Sequence, residues 1–196
     1  MGEIVLIRHG QTEWSANGRH TSYTDLDLTA DGEKQARQLA GRLAGRRFAA
    51  VISSPRKRAL RTAELAGLTV TEVSEDLVEW NYGEYEGITS AQIHETRPDW
   101  SLWTDGAPGG ETPAQVGARL DRVLAYALTF LGRDDDRGDR GADVALIGHG
   151  HALRVTGARW IGLPSSGGGL LKLDTGTLST LGFEHGNPVI DTWNAP

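Results

Sequence analysis

Two histidines occupy equivalent settings in this sequence, each after an apolar run and beside glycine. His9 ends the run in IVLIRHG, and His149 ends the run in VALIGHG. Buried apolar runs of this kind are typical of strands in a parallel sheet that is covered on both faces. Ligands of such sheets bind beyond the carboxyl ends of the strands, and Gly148 and Gly150 would let the backbone approach a ligand closely. A single histidine at a strand end is more often structural, so its neighbours must be considered.

Arginines accompany both histidines. Arg8 directly precedes His9, and Arg58 lies on a predicted helix that Ser53-Ser54-Pro55 opens after a second apolar run. A guanidinium offers forked donors to phosphate oxygens, and the first turn of a helix favours an anion. The charge of Arg8 is also expected to lower the pKa of the His9 imidazole, which keeps a nitrogen lone pair free near neutral pH. Two arginines and two imidazoles together predict a site for a dianionic phosphoryl group.

Phosphoryl transfer to a histidine also needs a proton donor for the departing alcohol. The segment LVEWNYGEYEG contains three glutamates, Glu79, Glu84 and Glu86. Glu79 is followed by aromatic residues, which are expected to raise its pKa toward that of a general acid. Residue type alone does not distinguish the three.

The elements that must position these residues alternate between strand and helix. Strands are predicted at 4–7, 49–52, 69–73, 142–147, 170–173, 177–184 and 188–193, and helices at 31–45, 55–66, 89–96, 116–131 and 151–161. Thr29 or Asp31 is the expected N-cap of the first helix, and His151 is expected to cap the last. The alternation predicts an α/β fold, a three-layer sandwich in which helices flank a mainly parallel central sheet, and 196 residues suit one domain, 1–196.

Three segments lack helical or strand periodicity. We predict long loops of the functional kind over most of 76–112, a charged surface turn at 133–141, and a glycine-rich loop at Ser165–Gly169. The glycine-rich loop does not match the phosphate-loop pattern, and the Arg-Gly-Asp tripeptide at 137–139 is interpreted as part of the polar turn.

Composition excludes several classes of function. A net charge of −6 argues against a nucleic-acid partner. The absence of cysteine excludes disulfides, thiolate metal sites and cysteine nucleophiles. The first apolar run has only four residues, too few for a signal peptide or a membrane span, so we expect a cytoplasmic protein that does not bind membranes.

Six ordered segments carry a family resemblance: LIRHGQTEW, TDLDLTADG, SSPRKRALRTA, EWNYGEYEG, PGGET and GHGHALR. From residue 4 to about residue 185 the chain resembles the histidine phosphatase superfamily, the phosphoglycerate-mutase-like group. The resemblance implies that His9 accepts the phosphoryl group, that Arg8, Arg58 and His149 form the phosphate pocket, and that Glu79 is the proton donor. It also implies that no metal or other cofactor is used.

The sequence departs from the mutase pattern of that group at two positions. Ser15 stands where cofactor-dependent mutases have Asn, and Trp80 stands where they have Arg. The range 95–112 also lacks the paired arginines that hold a second anionic group in mutases. These losses favour hydrolysis of a phosphohistidine over transfer to a second alcohol. A phosphoglycerate mutase is the first alternative, and a catalytically weak domain that binds phosphorylated ligands is the second.

The likeness is to phosphatase members, such as sugar bisphosphatases and acid phosphatases, which implies a small phosphorylated metabolite as substrate. Arg154 and His185 would contact its distal end, and Tyr82 would line the entrance. Ser15 and Thr21 complete the predicted substrate-binding set, His20 is expected near the leaving group, and Trp103 at the edge of the pocket. Many relatives form homodimers, and no apolar stripe in this chain requires one.

Overall fold

The computed structural model describes residues 1–132 and 141–196 and contains six strands and seven α-helices in those two segments. In chain order they are β1 (Ile4–Arg8), α1 (Glu13–Asn17), α2 (Ala30–Leu43), β2 (Phe48–Ser53), α3 (Lys57–Leu65), β3 (Glu72–Val73), α4 (Ser90–Thr96), α5 (Leu102–Asp105), α6 (Pro113–Leu128), β4 (Asp143–Gly148), α7 (Gly150–Trp160), β5 (Leu178–Glu184) and β6 (Asn187–Ala195). Short 3₁₀ helices cover Glu75–Leu77, Gly83–Tyr85 and Ser165–Leu170.

The strands form one sheet in the order β3-β2-β4-β1-β5-β6. The first four run parallel to one another, whereas β5 is antiparallel to β1 and β6 is antiparallel to β5. The mainly parallel sheet is therefore confirmed, with two antiparallel strands added at one side. Arg8 pairs with Gly148 and Ser53 with Ile147, so β1, β4 and β2 end side by side.

Alternate residues of each central strand face two different helical layers. Val5 and Ile7 of β1 pack in a core cluster with Leu39 of α2 and Ala59 of α3. Ile4 and Leu6 pack on the other face of the sheet, in a cluster that includes Leu120 of α6 and Leu153 of α7. Because both faces are covered, the strands are apolar throughout, and the three-layer α/β sandwich is confirmed.

Side-chain caps begin the helices on both faces. The Thr29 hydroxyl accepts a hydrogen bond from the Gly32 amide at 3.1 Å, which confirms Thr29 as the N-cap of α2. Thr112 and Gln115 form a reciprocal capping box at α6, with Pro113 in the first turn.

Several predicted boundaries are wrong. The predicted strand 170–173 does not form, and the glycine-rich segment before it is a 3₁₀ helix over Ser165–Leu170. That helix packs closely on its neighbours, since a Cβ built on Gly168 would lie 2.7 Å from the Trp103 ring. The strand predicted at 69–73 is reduced to Glu72–Val73, and helices α1 and α5 were not predicted. The charged turn predicted at 133–141, with its Arg-Gly-Asp tripeptide, lies outside the described residues except for Gly141.

Among the helices of the described segments, none is both long enough and apolar enough to cross a membrane.

Candidate active site

His9 lies at the point where β1 ends. Its amide donates to the Gly148 carbonyl at 3.1 Å, and its ring Nδ1 lies 2.7 Å from the Gly10 carbonyl. A carbonyl only accepts, so Nδ1 must carry the proton of the ring. Burial, followed by the charges of Arg58 and Arg8, lowers the pKa of His9 well below its usual value. The imidazole is therefore neutral and holds its free lone pair on Nε2, the state that a nucleophile needs.

His149 stands at the corresponding end of β4, and its ring centroid lies 5.1 Å from that of His9. Here Nδ1 accepts a hydrogen bond from Nε of Arg58 at 3.2 Å. A guanidinium only donates, so the proton of this neutral ring must be on Nε2, which lies 2.7 Å from the Ser54 hydroxyl. Burial, followed by Arg58, lowers the pKa of His149 well below its usual value. His149 thus presents a donor where His9 presents a lone pair.

Arg58 lies in the first turn of α3, as predicted, and is fully buried. Besides His149, its guanidinium donates to the carbonyls of Thr21, Ser22 and Thr24 at 3.0–3.3 Å. It therefore anchors the loop after α1 beneath the two imidazoles and adds a positive charge beside both.

Arg8 is partly exposed and lines a cavity in front of His9. Its Nη1 donates to the Leu173 carbonyl, while its buried Nε has no partner among the described residues. Gly150 makes room for this side chain, because a Cβ there would lie 3.1 Å from the Arg8 Cζ. Gly150 also lines this cavity, so close approach of a ligand to its backbone stays a prediction.

Glu79 lines the same cavity and is 5% exposed. One carboxylate oxygen accepts from the amides of Trp80 and Ala152, each at 2.8 Å, and the other accepts from the His151 amide at 3.0 Å. Two of these donors belong to the first turn of α7, whose amides have no acceptor within the helix. Three backbone amides thus fix the position of this side chain.

The two rival glutamates are placed differently. Both carboxylate oxygens of Glu86 accept from the Ser22 amide at 2.9 Å, and one accepts from the Thr24 amide at 3.0 Å, so Glu86 holds the loop after α1. Glu84 is exposed.

The cavity has a volume of about 180 Å³. Besides Arg8, His9 and Glu79, it is lined by polar residues that include Ser15, Arg19, His20, Thr21, Tyr82, His151 and Arg154. Four of the five residues predicted to bind substrate are therefore brought together: Ser15, Thr21, Tyr82 and Arg154. The Ser15 hydroxyl is also engaged in capping α1, since it accepts from the Thr12 amide at 2.8 Å and donates to the Thr12 carbonyl at 3.0 Å.

His185 is a correction. It lies in the turn between β5 and β6, is exposed, and has a positive φ of 51°. Because β5 runs antiparallel to β1, it starts beside Ile7, near the cavity, and ends beyond Ile4, at the amino-terminal end of β1. His185 therefore cannot contact a ligand at His9.

His151 was expected to cap α7 and is a second correction, and it lines the cavity beside His20 and Arg154. His151 does not cap α7 but lies inside its first turn, where its Nδ1 is 2.5 Å from the Tyr82 hydroxyl. His20 stacks at 6.2 Å from His151 and donates from Nδ1 to the Ile88 carbonyl, which leaves its Nε2 as an acceptor. Arg154 donates to the carbonyls of two glycines and lies 4.4 Å above the Trp103 ring, so Trp103 supports this wall from behind.

Two further residues of the site were not predicted from the sequence. Ser54 accepts from His149. The signal for it was its place in the polar segment Ser53-Ser54-Pro55 at the end of β2, for which no role in the site was predicted. Thr62, one helical turn after Arg58, accepts from the Gly10 amide at 3.0 Å and donates to the Arg58 carbonyl at 2.7 Å. It thereby links α3 to the peptide that follows His9.

In residues 1–132 and 141–196, no group of three or more His, Asp or Glu side chains is arranged to hold a metal ion.

Comparison with known proteins finds similar sequences and a similar fold. The acid phosphatase of Mycobacterium tuberculosis is 46% identical over 186 residues, covering 93% of this chain and 87% of that protein. The sedoheptulose 1,7-bisphosphatase of Saccharomyces cerevisiae is 36% identical over 183 residues, covering 81% of this chain and 67% of that protein. The solved structure of the product of a Mycobacterium tuberculosis open reading frame is 43% identical, with a TM-score of 0.89, and the match covers 99% of this chain and 97% of that one.

The family model of the histidine phosphatase superfamily (branch 1) matches residues 4–196, nearly the whole chain. The prediction of a phosphatase is confirmed at this level. The chain belongs to the histidine phosphatase superfamily.

Proposed function

We propose that this protein hydrolyses phosphate monoesters of small metabolites through a phosphohistidine formed on His9. In the first step the Nε2 lone pair of His9 attacks phosphorus, the bond from phosphorus to the ester oxygen breaks, and protonated Glu79 gives its proton to that oxygen. In the second step the Glu79 carboxylate takes a proton from water as the water oxygen attacks phosphorus. The phosphorus–nitrogen bond then breaks, and inorganic phosphate and free His9 result.

The observation that carries this proposal is a pair of imidazoles whose ring centroids lie 5.1 Å apart and whose Nδ1 atoms have opposite partners. The partner of His9 Nδ1 is an acceptor, and the partner of His149 Nδ1 is a donor. His9 offers the lone pair that attacks. The His149 ring is buried behind the cavity lining, and its Nε2–H would donate to an oxygen of the phosphoryl group once the ring turns away from Ser54. Arg8 and Arg58 would supply the two fixed positive charges that the transferring group requires.

The substrate we propose is a sugar phosphate or sugar bisphosphate. The cavity is small, and its lining combines an imidazole acceptor on His20 with the Tyr82–His151 pair. Such a lining suits sugar hydroxyl groups, because each hydroxyl both donates and accepts hydrogen bonds. Ser15, Thr21 and Arg154 also line the cavity, and in this proposal the Arg154 guanidinium contacts the distal end of the molecule. The name of one relative, the sedoheptulose 1,7-bisphosphatase, supports this class of substrate.

The mutase alternative is weakened by the surroundings of Ser15 and Trp80. Ser15 is engaged in the helix cap, and the Trp80 side chain is buried with its Nε1 donating to the Glu111 carbonyl at 2.9 Å. Neither supplies the cationic contact that would retain a second anionic group. Arg97, the one arginine in the range 95–112, donates to the Tyr85 hydroxyl and is exposed.

A phosphate-release panel tests the proposal, with sugar bisphosphates, sugar monophosphates, phosphoglycerates and an aryl phosphate assayed from acid to neutral pH. We expect release of inorganic phosphate and an acid-labile, base-stable phosphoryl label on the protein that is absent in His9→Ala. Conversion of 3-phosphoglycerate without net release of phosphate would indicate the mutase. Binding of phosphorylated ligands without turnover would indicate the ligand-binding domain.

A further inference from the structure

Glu79 lies in a stretch of chain that is neither helix nor strand, between the 3₁₀ helices Glu75–Leu77 and Gly83–Tyr85. Its carboxylate is held by three amides, but a general acid also needs a fixed main chain. Displacement of a reacting group by about 1 Å can reduce a rate about 100-fold, so whatever holds this segment affects the chemistry.

Arg119 of α6 holds the segment from the side opposite the cavity. Its Nη1 donates to the carbonyls of Asp76 and Val78 at 2.8 and 2.7 Å, and its Nη2 donates to the Glu79 carbonyl at 3.2 Å. Its two remaining N–H groups donate to the two carboxylate oxygens of Glu111 at 2.8 and 3.0 Å. All five donors of the guanidinium are therefore used, and three of them bind the segment that carries Glu79. Arg119 is a buried residue, 6% exposed.

Glu111 holds the other side of the same segment. Its carboxylate accepts from the Asn81 amide at 2.8 Å, and its own amide donates to the Asn81 carbonyl at 2.9 Å. Its carbonyl accepts from the Trp80 indole at 2.9 Å. Arg119 and Glu111 together hold residues 76–81 by hydrogen bonds, on both sides of Glu79.

An ion pair in this place is not explained by stability alone. Desolvation of a buried pair often cancels its Coulombic attraction, and well-packed apolar residues can replace such pairs without loss of stability. A planar fork that binds three carbonyl groups within residues 76–79 does what apolar packing cannot, because it defines the direction of individual carbonyl groups.

We propose that Arg119 and Glu111 are positioning residues for Glu79, which hold it where it protonates the leaving group. This inference rests on the proposed function. Neither residue lines the cavity, so both act through Glu79 and not on the substrate.

Leaving-group dependence tests the inference. A nitrophenolate leaves without a proton, whereas an alkoxide needs one, so loss of a placed general acid slows alkyl phosphates selectively. In Arg119→Lys we expect kcat/KM to fall about 10- to 100-fold for a sugar phosphate and less than about threefold for para-nitrophenyl phosphate. Glu79→Gln should show the same selectivity with a larger loss, and Glu111→Gln the same with a smaller one. Arg122→Lys is the matched control, since Arg122 lies on the same helix and pairs with the Asp76 side chain, but its side chain is 63% exposed.

A double-mutant cycle separates positioning from a general structural role. If Arg119 acts through Glu79, adding Arg119→Lys to Glu79→Gln should change kcat/KM for the sugar phosphate less than about threefold. Equal losses on both substrates, or a full additional loss in the Glu79→Gln background, would overturn the inference while leaving the proposed function intact. If Arg119→Lys does not fold, Glu111→Gln decides by the same criteria. A folded wild-type protein that releases no phosphate from any monoester would overturn the proposed function and this inference with it.

Discussion

His9 and His149 end neighbouring parallel strands in the same kind of segment, yet their surroundings give them opposite hydrogen-bonding roles. At His9 the partner of Nδ1 is the Gly10 carbonyl, which forces a lone pair onto Nε2. At His149 the partner of Nδ1 is the Arg58 guanidinium, which forces a proton onto Nε2. Two imidazoles of lowered pKa thus become an acceptor and a donor, and only the first is suited to attack phosphorus.

The largest effect should come from His9→Gln. The side-chain amide nitrogen of Gln occupies the place of Nε2 but has no lone pair available for attack, so kcat should fall on the order of 10⁴-fold or more. Steady-state phosphate release, with circular dichroism as a control for folding, checks this. Activity within about tenfold of wild type would contradict the assignment of His9 as nucleophile.

Arg58→Gln should remove the hydrogen bond that gives the His149 ring a different tautomer from the His9 ring. We expect kcat/KM to fall about 10³-fold, because the buried charge beside His9 and His149 is lost and the loop after α1 loses its anchor. The pKa of His9 and the pKa of His149 should both rise once the positive charge is removed, so the acid limb of the pH–rate profile should move to higher pH. A lower rate with an unshifted acid limb would show that Arg58 does not control the protonation of the imidazoles.

At His149 the same change to Gln should be tolerated, since an amide N–H still donates from the place of Nε2. His149→Gln should stay within about tenfold of wild type, whereas His149→Ala should lose about 100-fold, as for a missing oxyanion donor. Comparing kcat/KM of the two variants checks this. If Gln were no better than Ala at this position, donation from Nε2 would not be the role of His149.

The smallest effect is on stability. Burial lowers the pKa of His9, His149 and His151 in the folded protein well below the usual histidine value of 6.5. The unfolded chain therefore binds more protons than the folded one as the pH falls below 6.5. The free energy of unfolding should therefore decrease by up to about 1.4 kcal/mol per pH unit per histidine, and level off below the folded pKa values. Urea unfolding at a series of pH values measures this slope. The slope should be smaller in His149→Gln, and an equal slope would show that His149 does not take part.

The sequence alone predicted those features that depend on local spacing. Apolar runs specified β1, β2 and β4 to within one or two residues, and Thr29 was found as a cap because capping bonds span only a few residues. Helix boundaries in the segment 76–112 were harder to predict, since α5 has four residues and little periodicity. Motif resemblance selected Glu79 among three glutamates, for which residue type gave no reason.

Tertiary structure alone decided the direction of each strand and the partner of each polar atom. His185 was misplaced because nothing in residues 178–184 indicates that this strand runs opposite to its neighbour. The opposite tautomers of the two rings depend on Arg58 reaching His149 across 91 residues of chain, and Glu79 is held by Arg119 across 40. Such contacts form only when distant segments are brought into register, so a pattern read along the chain supplies the two histidines and only the fold distinguishes them.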